Sequence, residues 1–163
     1  MTAQDGLLID PVFGTLELIS SGLFWQTRYE SRKFGKIKVR TERNREISSA
    51  QRDAFGLFQS MEEQILKDAQ EMLYEDYLRF LTAIETDVFQ EPEDFVRLTH
   101  SEQIWGQLDN PFEGGTTLLV LFSRERPVFL QLAWNCTWDV EHGASVCIEN
   151  GKVVSRKRRL ELM

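Results

Sequence analysis

The residues best equipped for chemistry sit close together near the C-terminal end, in the run Trp138-Asp139-Val140-Glu141-His142-Gly143. A carboxylate beside an imidazole can pass protons or help to hold a metal ion. Asp139, Glu141 and His142 are therefore the residues a small-ligand-binding or hydrolytic enzyme would use. The cluster lacks further partners. The other histidine is His100, and no His-x-x-x-His or Cys-x-x-Cys spacing accompanies it, whereas a metal site needs three or four converging ligands. Asp139 and Gly143 also have turn chemistry, since Asp bonds locally to backbone and Gly accepts positive φ. The run is expected to be the tip of a β-hairpin. Trp138, Asp139, Glu141 and His142 would form its rim, with Trp138 partly exposed.

Nucleophilic chemistry finds no better support. There is no Gly-x-Ser-x-Gly elbow, and Gly114-Gly115-Thr116-Thr117 lacks the lysine of a phosphate loop and precedes a strand rather than a helix. Matching the apolar faces of the hairpin arms pairs Trp134 with Ile148 and Cys136 with Val146. Side-chain alternation then places Cys136 and Cys147 on opposite sides of the sheet, too badly aimed for a disulfide. Two reduced thiols, and an N-terminus without a basic start or long apolar core, suggest a cytoplasmic protein. No apolar run reaches the roughly 20 residues of a membrane helix. No catalytic residue, metal ligand or cofactor is assigned.

The elements that must position this tip read as an α+β domain spanning residues 1–163. A β-meander is expected over about 12–40, from the alternation of Leu16 and Leu18, then of Trp25 and Tyr29, then of Ile37 and Val39. The last of these strands carries Lys36, Lys38 and Arg40 on its other face, so one side should be wet. A helical region follows over about 48–108. Ser48 with Gln51 forms a capping box, and Phe55, Phe58, Met61, Ile65, Ala69, Met72 or Leu73, Tyr77, Phe80 and Ile84 recur at three- and four-residue steps. Because roughly 35 residues is long for one helix, two helices with a break near residues 74–76 are expected. A short helix opening at a Thr99/Glu102 capping box comes next. Hairpins over about 112–155 complete an antiparallel sheet packed against two or three helices, with Asn150-Gly151 as a tight turn.

Charge is uneven. Residues 62–94 hold eleven acids and two bases, while residues 28–45 hold eight bases and two acids; the chain as a whole is at −7. The basic stretches, with Arg156-Lys157-Arg158-Arg159, could touch phosphates. A pI near 4.9 and the absence of a recognition motif argue against nucleic acid. The acidic stretch points instead to a protein partner of opposite charge, with Glu85, Asp87, Glu91, Glu93 and Asp94 as the contact residues.

The segment Ile104-Trp105-x-x-Leu108, two strands, and then Trp138-Asp139-Val140-Glu141-His142-Gly143 resembles a group of uncharacterised bacterial domain families. These end in a strand closed by Trp-Asp-x-Glu-His-Gly. The likeness covers about residues 101–155, with a looser match around Phe24-Trp25. Some members of those families occur beside toxin genes. The resemblance thus implies a non-enzymatic, immunity-type interaction protein whose partner is a basic toxin.

Overall fold

The computed structural model describes residues 6–91, 93, 95–122, 128–139 and 141–155. Eight strands follow in chain order: β1 (Leu7–Asp10), β2 (Gly14–Leu18), β3 (Phe24–Ser31), β4 (Gly35–Glu42), β5 (Thr117–Leu121), β6 (Phe129–Trp134), β7 (Ala144–Glu149) and β8 (Lys152–Ser155). They form one sheet in that same order. Every neighbouring pair is antiparallel except β4 and β5, which run parallel. Parallel neighbours need a long crossover. Here the crossover carries helix α1 (Ser49–Glu85) and a 3-10 helix (Ser101–Gln107). The expected α+β architecture, a mostly antiparallel sheet packed against helices, is what the chain adopts.

The core lies between α1 and one face of the sheet. The register sets Thr27, Val39, Leu118, Leu132 and Val146 side by side across five strands, and the last four are fully buried. Phe55, Phe58, Ile65, Ala69, Leu73 and Tyr77 of α1 belong to the same cluster. Gln51 fastens the start of the helix to the sheet. It completes the capping box with Ser48, and its Nε2 donates to the Val120 carbonyl at 2.9 Å and to Glu42. On the other sheet face Lys36 is exposed while Lys38 and Arg40 are half-buried, so that face of β4 is only partly wet.

Four sequence expectations need correction. The helix does not break at residues 74–76: α1 is continuous for 37 residues, about 55 Å at 1.5 Å per residue. Its buried stripe steps without a gap from Leu73 to Tyr77, so nothing there favours a turn. The next helix is a 3-10 helix, and the residue that bonds back over its start is Gln103, which accepts from the N–H groups of Thr99 and His100. The meander begins earlier than expected, with β1, which periodicity does not mark because Leu7-Leu8-Ile9 does not alternate. It is held by the turn after it, where Asp10 accepts from Val12 and Phe13 N–H and from Arg52. Finally, Trp134 pairs with Ala144 and Leu132 with Val146, four residues out of the expected register.

Candidate functional site

The shift in register has a local cause. The chain leaves the sheet after Trp134, and Cys136 forms an antiparallel bridge with Leu108 instead of Val146. The Asp109 N–H donates to the Asn135 carbonyl at 2.8 Å, and the Thr137 N–H to the Gln107 carbonyl at 3.0 Å. Residues 135–139 and 141–143 thus lie outside the sheet, with Asn135 and Thr137 bonded to the end of the 3-10 helix. Gly143 closes the β6–β7 loop at φ +71°, so near the Trp134 carbonyl that a Cβ there would lie 2.5 Å from its oxygen.

Within this loop Asp139 and His142 do meet. Asp139 Oδ1 accepts from the His142 backbone N–H at 3.2 Å and hydrogen-bonds its Nδ1 at 3.1 Å, while the Asp139 carbonyl accepts from Gly143 N–H at 2.9 Å. Those contacts build the turn. Glu141 is exposed, and the bonds of this pair do not include it. Trp138 is not a rim residue: it is 1% exposed. Its ring meets Tyr77 edge-on at 6.1 Å, and its Nε1–H donates to Asp76 at 3.1 Å. The Cys136 thiol donates to the Asp139 carbonyl at 3.5 Å, and burial pushes its pKa up to about 12. A thiol so disposed stays protonated and is a poor nucleophile. Cys147 sits opposite Gln131 on the other face of the sheet, and both thiols are free and buried. Among the described residues, no three of His, Cys, Asp and Glu gather as metal ligands would.

The predicted contact acids lie at the far end of α1. Glu85 is its last residue and Thr86 its C-cap. Asp87 follows with φ 59°, and its N–H donates to the Ile84 carbonyl while that of Val88 donates to Ala83. This is a Schellman stop made with Asp where Gly is usual. Beyond it Glu91 pairs with Arg97 at 2.6 Å and Glu93 is exposed; Asp94 lies outside the described residues. The acids are not alone. Val88, Phe89 and Val96 are 68%, 53% and 48% exposed. Phe89 stacks on Phe80, Phe80 meets Phe95, and Phe95 stacks on Tyr77, which joins this surface to the core. Tyr77 secures the arrangement, since its hydroxyl donates to the Val96 carbonyl at 2.8 Å and accepts from Leu98 N–H at 2.7 Å.

One acid of the stretch behaves differently. Glu62 is 2% exposed on the sheet-facing side of α1. Its Oε1 accepts from the Tyr29 hydroxyl at 2.7 Å, and its Oε2 accepts from the Ser31 hydroxyl at 2.5 Å and from Arg32 N–H at 3.2 Å. Burial, then the hydrogen bond and charge of Glu62, pushes the Tyr29 phenol up to about 12. The sequence carried a signal for this. Glu62 falls on the helical stripe between Phe58 and Ile65, where a solvated acid does not belong.

No curated protein and no solved structure matches the chain. A family model described as a domain of unknown function, DUF6985, matches residues 12–157.

Proposed function

The chain belongs to the DUF6985 family, and we propose that it is a non-enzymatic protein-interaction module that binds a basic partner through the acidic end of α1. The observation carrying this reading is the mixture of Val88, Phe89 and Val96, all exposed, with the exposed acids Glu85, Asp87, Glu91 and Glu93. Exposed aromatic and aliphatic side chains supply the desolvated anchors of an interface. Surrounding charge steers and selects an oppositely charged protein. The Asp139–His142 pair and Cys136 support the non-enzymatic half of the reading, since the first is spent on a turn and the second stays protonated. A basic toxin, the partner implied by the hairpin resemblance, has the required charge, which makes an immunity-type role the specific form of the proposal.

The test is capture from native lysate with the wild-type chain, with Glu85→Lys/Asp87→Lys/Glu91→Lys/Glu93→Lys, and with Val88→Ser/Phe89→Ser. The expected result is a basic protein retained by the wild type, released by salt, and lost from both variants. A partner held equally well by all three would overturn the reading.

A further inference from the structure

A half-open groove of about 460 Å³ lies between the turn joining β3 to β4 and the middle of α1. Arg32 and Lys33 line it from the turn, and Glu62, Glu63, Leu66 and Lys67 line it from the helix. Its size falls in the ordinary range for small-molecule sites. Three cations therefore border one recess in a chain whose net charge is −7.

The two carboxylates offset two of the three and leave the lining with a formal excess of one positive charge. Glu62 already takes three donors, from Tyr29, Ser31 and the Arg32 backbone, so it has little accepting capacity left for the neighbouring ammonium groups. Glu63 is exposed. Among the described residues, none of Arg32, Lys33 and Lys67 forms a salt bridge with a carboxylate. Lys33 is steadied another way, with its Nζ 5.0 Å from the centre of the Trp105 ring. A cation–π contact holds the ammonium in place and leaves its N–H groups able to donate. Leu66 and the aliphatic stems of the lysines give the groove an apolar lining.

We propose that this groove binds a small organic anion, with a carboxylate, sulfonate or phosphate group on an apolar body. The side chains of Arg32, Lys33 and Lys67 take the charged group as charge-assisted hydrogen-bond donors. Leu66 and the lysine stems cover the body. The site is separate from the acidic end of α1 and stands whether or not that end binds a protein.

The experiment is a fluorescence titration of the whole chain with 8-anilinonaphthalene-1-sulfonate, an anion on an apolar body. Its neutral counterpart 1-anilinonaphthalene serves as the control. The expected result is a single saturable site, with affinity lower by about tenfold or more for the neutral dye and for Lys33→Glu/Lys67→Glu. Lys33→Gln/Lys67→Gln should fall between that variant and the wild type, and it decides the matter if the reversed pair fails to fold by circular dichroism. Val88→Ser/Phe89→Ser should bind as the wild type does. Undiminished affinity in the lysine variants, equal binding of the neutral dye, or loss of binding in the Val88/Phe89 variant would each overturn the proposal.

Discussion

Buried carboxylates set the behaviour of this protein at the scale of single residues. Glu62 holds a hydroxyl pair and a backbone N–H in an otherwise apolar layer. Glu62→Ala leaves those donors unmet and should cost roughly 2–4 kcal/mol in urea unfolding. It should also bring Tyr29 down from about 12. In an absorbance titration the Tyr29→Phe variant should lack a phenolate step near 12, and a step near 12 that persists there would assign it to another residue. The sign for Tyr29 follows from its raised value. The folded chain keeps a proton that the unfolded chain begins to release at 10.0, so this stability is full below 10.0 and is lost as pH climbs toward 12. Asp10 runs the other way. Burial raises it, but the Arg52 guanidinium and the Phe13 and Val12 N–H groups outweigh burial and hold it below its ordinary 3.8. Its contribution is present above 3.8 and is lost as pH falls through the lowered value. Asp10→Asn should therefore melt earlier than wild type at neutral pH, with the difference closing in acid. A constant gap from pH 7 to pH 2 would show that ionisation of Asp10 is not the cause.

Two glycines separate local propensity from tertiary constraint at the scale of elements. Gly56 lies inside α1, and a Cβ added there would meet nothing within 4 Å, so Gly56→Ala should stabilise the protein by about 1 kcal/mol. Gly143 has φ +71° and faces the Trp134 carbonyl. Gly143→Ala must move one strand end or the other and should cost about 1–3 kcal/mol. Thermal melts of the pair should shift in opposite directions. The same contrast explains the helix terminus. Neither glycine nor proline occurs in residues 86–91, so the first breaker beyond α1 in the sequence, Pro92, marks the interruption several residues after the helix has ended. Asp87 ends α1 by accepting a left-handed conformation that Asp tolerates less readily than Gly.

At the scale of the whole molecule, α1 does two jobs along its length. Its first part covers the sheet, and its last part is held by the 95–98 segment and by Trp138. Trp138 is the joint between the β6–β7 loop and the helix, fully buried and bonded to Asp76. Trp138→Ala should cost about 3–5 kcal/mol in denaturant. It should also lower hydrogen-exchange protection around residues 74–98 more than in the sheet, because the aromatic chain from Tyr77 to Phe89 loses its inner support. Equal loss of protection everywhere would mean that the helix end has no separate stability.

Local pattern alone specifies the class of fold, the meander, the capping box at Ser48, the Asn150-Gly151 turn and the concentration of acids in the helical region. These rest on periodicity and turn chemistry, for which neighbouring residues are enough. The same pattern assigns the side chains of the hairpin arms that face α1, because alternation fixes the face. Alternation cannot tell one register from another displaced by an even number of residues. Only the bridge from Cys136 to Leu108 and the close approach at Gly143 select the pairing of Trp134 with Ala144. Contacts between distant segments likewise make Trp138 part of the core, make Glu62 a buried acceptor rather than part of a solvated belt, and leave Glu141 apart from Asp139 and His142. Each of those outcomes depends on residues thirty or more positions away, or on the path of a loop, and neither is written in local pattern.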